Sequence, residues 1–133
     1  MSKSFKAIIA AGGTGGHVFP GLAIAERLQA RGWTVRWIGT RQGMESMIVP
    51  EHGIALDTVA MVGLRGKGLF RYLLMPLMIL RGFYGSWKLL KREKPDLVIG
   101  LGGYVAFSPS MMAVWCDIPL AIHEQNSVPG LVN

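Results

Sequence analysis

The string Gly12-Gly13-Thr14-Gly15-Gly16-His17 combines what is needed to hold an anion and to move a proton. Glycine lets backbone approach a ligand closely or take positive φ. A glycine loop that opens a helix turns its N–H groups towards negative charge. His17 follows at the junction of loop and helix. An imidazole there can take a proton from an attacking hydroxyl, since it exchanges protons near neutral pH; equally, it can cap the loop by hydrogen bonds alone. Both roles are open. Two later apolar segments also end in polar or glycine-rich strings, Gly102-Gly103-Tyr104 and His123-Glu124-Gln125-Asn126.

Several chemistries are excluded or disfavoured. Gly13-x-Gly15-x-x leads to Val18, so the dinucleotide spacing GxGxxG fails. Gly39-Thr40-Arg41 stands where an acidic residue would take a ribose hydroxyl. No GxxxxGK[ST] string is present, which excludes a P-loop. There is no Asp-x-Asp pair, and His17, His52 and His123 are far apart, so no metal site or cofactor is expected. His52 reads as a surface residue at a helix end, His123 as ordering its loop, and Cys116 as packing against a sheet.

The elements that must position these residues follow from patterning. Short apolar strands are expected at residues 5–11, 33–38, 54–62, 97–101 and 118–122. Helices are expected with Pro20 in the first turn and a stop at Gly32, over 42–52 closed by Gly53, over 69–94 bent or restarted at Pro76, and around 110–115. Strand and helix alternate and the strands are continuously apolar. That pattern predicts one α/β domain, a Rossmann-like doubly wound parallel sheet covered on both faces. With strands in the order 3-2-1-4-5, strands one and four adjoin at the switch point, where such folds bind ligands. The two glycine loops then lie side by side and suit a diphosphate; the alternative is that each is only a tight turn.

The chain has 133 residues, enough for a substantial core, and half are hydrophobic. Fourteen Lys and Arg against eight Asp and Glu give a net charge of +6, which favours anionic partners. No nucleic-acid-binding motif accompanies the charge, so nucleic acid is not expected. A single cysteine rules out an internal disulfide and suits a reducing compartment. The first residues do not read as a signal peptide. The longest uncharged apolar run, 72–80, is about half a membrane span. The segment 64–94 nevertheless carries Leu73, Leu77, Leu80 and Phe83 among many apolar residues, flanked by Arg81 and other basic side chains. That exceeds one core stripe and fits surface contact with an anionic bilayer; the alternative is a helix that merely covers the sheet.

Gly12-Gly13-Thr14-Gly15-Gly16-His17-Val18-Phe19-Pro20-Gly21, Gly63-Leu64-Arg65-Gly66-Lys67-Gly68, Gly102-Gly103-Tyr104-Val105 and His123-Glu124-Gln125-Asn126 together resemble, in order and over essentially the whole chain, the MurG family of bacterial N-acetylglucosaminyltransferases. The resemblance implies the amino-terminal half of a GT-B glycosyltransferase, with 1–133 as the acceptor-binding domain and a carboxyl-terminal donor-binding domain not in this sequence. It implies inverting transfer of N-acetylglucosamine from UDP-N-acetylglucosamine to the muramyl C4 hydroxyl of lipid I, the undecaprenyl-diphosphate-linked muramyl-pentapeptide. The product is lipid II, for peptidoglycan, made by a peripheral enzyme on the cytoplasmic face of the plasma membrane. By matching positions, Thr14, Gly15, Gly16 and Asn126 would contact UDP-N-acetylglucosamine. Gly13, Gly103 and Tyr104 would face the acceptor diphosphate, His17 is the candidate base, and Leu73, Leu77, Leu80, Phe83 and Arg81 would touch the membrane. Phe107 departs from the pattern of many members of the family, which carry a small residue there. The chain alone is expected to be inactive. Two other readings stand beside this one: a non-catalytic membrane-surface subunit of a split glycosyltransferase, and a nucleotide-binding oxidoreductase domain.

Overall fold

Short strands with no polar face must be covered on both sides, and four helices among the described residues do this. The computed structural model describes residues 4–13, 15–59 and 69–123. In chain order the elements are β1 (Lys6–Ala10), α1 (Gly15–Ala30), β2 (Thr34–Gly39), α2 (Glu45–Glu51), β3 (Ala55–Thr58), α3 (Leu69–Glu93), β4 (Leu97–Gly100), α4 (Tyr104–Trp115) and β5 (Leu120–Ile122). The sheet runs β3-β2-β1-β4-β5 and every pairing is parallel. β1 is central, with Ala10 beside Ile38 on one flank and Gly100 on the other.

Alternate residues of β1, β2 and β4 and of the turns that follow feed two separate cores. Ile9, Ala11, Val35, Trp37, Ile99 and Leu101 pack with Val18, Leu22 and Ala25 of α1 and Val49 of α2. Ile8, Ala10, Ile38 and Val98 face the other way, onto Leu89 and Leu90 of α3 and Val105, Ala106 and Ala113 of α4. The expected doubly wound architecture is therefore present, with α1 and α2 on one face and α3 and α4 on the other. A buried hydrogen bond of 3.0 Å between the Ser86 and Ser108 hydroxyls ties α3 to α4.

Several boundaries differ from expectation. α1 starts at Gly15 and α4 at Tyr104, so Pro20 and Pro109 are each the sixth residue of their helix rather than marking its start. A proline there withholds an N–H only from a carbonyl of the first turn, where the loss disturbs few other bonds. α3 is one helix through Pro76 and is not restarted. β3 ends at Thr58, and the expected extension to Val62 runs outside the described residues. Ile118 belongs to the close of α4, its N–H donating to Ala113 O at 2.8 Å, so β5 begins later than expected.

Opposite charges link three strands to the end of α3. Arg36 of β2 donates to Asp57 of β3 at 3.0 and 3.1 Å, and its Nε lies 3.0 Å from Glu93. Lys6 of β1 and Arg92 approach the same Glu93 carboxyl at 3.7 and 3.2 Å. Burial pushes the Glu93 carboxyl up, but the Arg92 hydrogen bond and the charges of Arg36, Lys6 and Arg92 outweigh it and hold it below its ordinary 4.5. A carboxyl depressed in the folded chain adds stability above its unfolded pKa, and that stability is lost as pH falls through the folded value. The thermal midpoint should therefore fall as pH drops below about 4.5. Melting curves of Glu93→Gln should show a shallower fall; an identical slope would mean that this network contributes nothing.

Candidate active site

Because β1 and β4 are neighbours, the loops that leave them lie against each other. A Cβ added to Gly103 would sit 3.0 Å from the carbonyl oxygen of Gly12, and Gly103 has φ +82. Only glycine combines this conformation with that approach. Gly102, with φ +95, lies under the imidazole of His17, its virtual Cβ 3.0 Å from ring atom Cε1. The amino ends of α1 and α4 therefore meet at one crevice, and neither first turn contains an acidic side chain. Aligned peptide dipoles make such helix ends positive, which suits a diphosphate.

His17 bridges the two loops. Its Nδ1 is 2.8 Å from the carbonyl oxygen of Leu101. A carbonyl only accepts, so Nδ1 carries the hydrogen and, in the neutral ring, Nε2 is the basic nitrogen. The hydrogen bond that ties the loops thus also fixes which tautomer the neutral imidazole takes.

Patterning did not single out Glu45, which is fully buried. Its carboxyl accepts from the Gly13 N–H at 3.2 Å, the Thr40 N–H at 2.7 Å and the Thr40 hydroxyl at 3.0 Å. The acidic residue missing directly after β2 thus arrives a few positions later and reaches back to the first glycine loop. The amide of Gly13, expected to face the acceptor diphosphate, is turned inward to this carboxyl. The nearest sequence signal was the set of glycines that make room for it, Gly12, Gly39 and Gly43, which only the fold assembles.

The remaining expected residues divide as follows. Gly15 and Gly16 form the first turn of α1, and Gly103 caps α4, which Tyr104 begins. Thr14, Asn126 and the basic loop at 63–68 lie outside the described residues. His52 is exposed near the end of α2, its Nδ1 2.9 Å from Ile48 O. The His123 side chain is exposed and its backbone N–H donates to Gly100 O. Cys116, expected against the sheet, is half-buried at the C-cap of α4. Leu73, Leu77 and Leu80 are 71%, 56% and 65% exposed, and Arg81 is exposed. Phe83, grouped with them on sequence, is half-buried against Phe107 of α4, their ring centroids 5.7 Å apart. Phe107 thus pairs with α3. Met111, Val114 and Trp115 of α4 are exposed as well; they lie in the helix expected at 110–115, with no surface role expected for them. Among the described residues no helix is long and apolar enough to cross a membrane.

This fold is that of the GT-B glycosyltransferases. The Streptomyces glycosyltransferase SsfS6 superposes with a TM-score of 0.69 over 96% of this chain and 41% of its own, at 16% identity, a likeness of fold alone. The chain belongs to glycosyltransferase family 28, whose N-terminal domain matches residues 7–133. It is 57% identical over its full length to the UDP-N-acetylglucosamine--N-acetylmuramyl-(pentapeptide) pyrophosphoryl-undecaprenol N-acetylglucosamine transferase of Paracidovorax citrulli, and 48% identical to the protein of that name from Histophilus somni. The crystal structure of Acinetobacter baumannii MurG superposes with a TM-score of 0.86 at 40% identity, covering 97% of this chain and 38% of that one. The chain spans 37–38% of the length of these two curated relatives.

The contact between loops gives a direct test. Gly103→Ala forces a positive φ on alanine and drives its methyl towards the Gly12 carbonyl. It should cost about 1–3 kcal/mol of unfolding free energy, measured by denaturant titration. A stability equal to the parent's would mean that the loops need no such approach.

Proposed function

We propose that this chain is the acceptor-binding domain of a peptidoglycan N-acetylglucosaminyltransferase, and that its two glycine loops and His17 serve the reaction implied by its relatives. The observation that carries this reading is His17, tied by Nδ1 to Leu101 and set between two helix amino ends. In the proposed reaction the muramyl C4 hydroxyl oxygen attacks the anomeric carbon of UDP-N-acetylglucosamine from the side opposite the leaving group. The new C–O bond forms as the bond to UDP breaks, and the bonding electrons leave with the diphosphate. The hydroxyl proton passes to His17 Nε2, and the anomeric centre is inverted. Gly15, Gly16, Thr14 and Asn126 are assigned to the sugar nucleotide, and the loop at Gly103–Tyr104 to the acceptor diphosphate. A second domain must close the cleft and orient the donor. The Paracidovorax and Histophilus relatives each carry the matching segment within a longer chain, which favours this reading over a split, non-catalytic subunit.

The same proposal places the domain on the cytoplasmic face of a bacterial plasma membrane. Leu73, Leu77 and Leu80 with Arg81 supply the apolar and basic surface that an anionic bilayer takes up.

In an enzyme completed by the second domain, His17→Ala should lower kcat by about 10²–10⁴-fold while lipid-acceptor affinity changes little. Unchanged turnover removes His17 as the base. Binding of the chain to anionic vesicles should weaken with added salt and with Leu77→Asp or Leu80→Asp. A chain indifferent to both changes does not dock through this face.

A further inference from the structure

Glu45 is an expensive choice for its position. A fully buried carboxyl loses its hydration, and among the described residues no Lys or Arg approaches it. An apolar side chain of similar volume would serve packing better. What the carboxyl does supply is two acceptor oxygens. Oε1 takes both donors of Thr40, and Oε2 takes the Gly13 N–H. The Thr40 hydroxyl in turn accepts from the Gly43 N–H at 3.0 Å. Two segments leave space for this group, the first glycine loop and the stretch just before Glu45: a Cβ at Gly12, Gly39 or Gly43 would each run into the Glu45 side chain.

We propose that Glu45 is a positioning residue for the first glycine loop. By taking the Gly13 N–H it denies that donor to a ligand and fixes the register in which an anion meets the loop, further along at the amino ends of α1 and α4. This inference rests on the reading of the loop as a diphosphate site. Acceptor lone pairs behind Gly13 keep a phosphate oxygen off that amide, so a diphosphate has one productive placement rather than two.

Glu45→Gln isolates the effect. It keeps the volume, but an amide has one acceptor oxygen. If that oxygen stays on Thr40, an NH2 group faces the Gly13 N–H and the loop is released. Gly39→Ala perturbs the same carboxyl from outside the loop, its methyl meeting Glu45 Cγ at 2.5 Å, and carries the test if the first variant does not fold. The measurement is a titration of the 133-residue chain with inorganic pyrophosphate, following the backbone amide resonances of Gly12, Gly13, Gly15, Gly16 and His17, with thermal midpoints recorded alongside. Both variants should shift the Gly13 resonance and weaken pyrophosphate by about tenfold or more. Lower midpoints with affinity within about twofold of the parent's would overturn the proposal and leave Glu45 a stabilising residue only. If pyrophosphate moves none of these resonances in the parent chain, the diphosphate reading fails, and the ligand role of Glu45 fails with it; that result needs no variant and so is distinct from the first.

Discussion

The constraint on which the crevice depends is backbone against backbone, where the loop after β4 passes against the loop after β1. Gly103 approaches the Gly12 carbonyl within a distance that leaves no room for a side chain. The parallel pairing of β1 with β4 makes that approach unavoidable, because Ala10 and Gly100 are register partners and both chains turn immediately afterwards. The winding reverses between these strands, sending α1 to one face and α4 to the other. Their amino ends are thereby brought to one crevice. A bulkier loop on either strand would separate the two positive helix ends that give the crevice its character.

Two side chains hold this junction from opposite sides. His17 reaches from α1 across to Leu101, 84 positions away, and Glu45 reaches from α2 to Gly13, 32 positions away. Each bond spans elements that the sheet alone would leave independent. The first also sets the imidazole tautomer, so the bond that ties the loops also fixes which ring nitrogen would take the proton in the proposed reaction. Chemistry proposed for His17 therefore depends on the geometry of the second loop as much as on its own.

The sheet order, the two-faced core and the adjacency of the glycine loops were legible because each follows from a local pattern: apolar strands, helical spacing, glycine at strand ends. Helix starts were less legible. Pro20 and Pro109 resemble first-turn prolines, yet each lies six residues into a helix that begins directly at a glycine loop, where turn and helix compositions overlap. Met111, Val114 and Trp115 fall within the helix expected at 110–115, but their exposure was not expected, and Phe83 was grouped with membrane-contacting residues although it packs on Phe107. Glu45 was illegible for a different reason. Nothing within its own helix distinguishes it from a surface glutamate in a first turn, and its partners come from two other segments.

The two faces of the sheet are covered unequally, and on the proposed reading this bears on how the site would meet a lipid-borne acceptor. On the α3 side the core needs only Leu89 and Leu90 near the end of that helix; from 73 to 81 none of its residues is buried. This overhang is apolar and is held in register by the Ser86–Ser108 bond and the Phe83–Phe107 contact, so it is fixed relative to α4. α4 begins at the second glycine loop and runs beside α3 in the same sense, Phe107 against Phe83 and Ser108 against Ser86. The overhang at 73–81 therefore extends past the amino end of α4, on the side of the crevice, and Trp115 lies at the far end. On the proposed reading, a bilayer touching the overhang would meet the site from the side of that amino end, so the length of α3 beyond Phe83 would set how far the anion lies from the membrane.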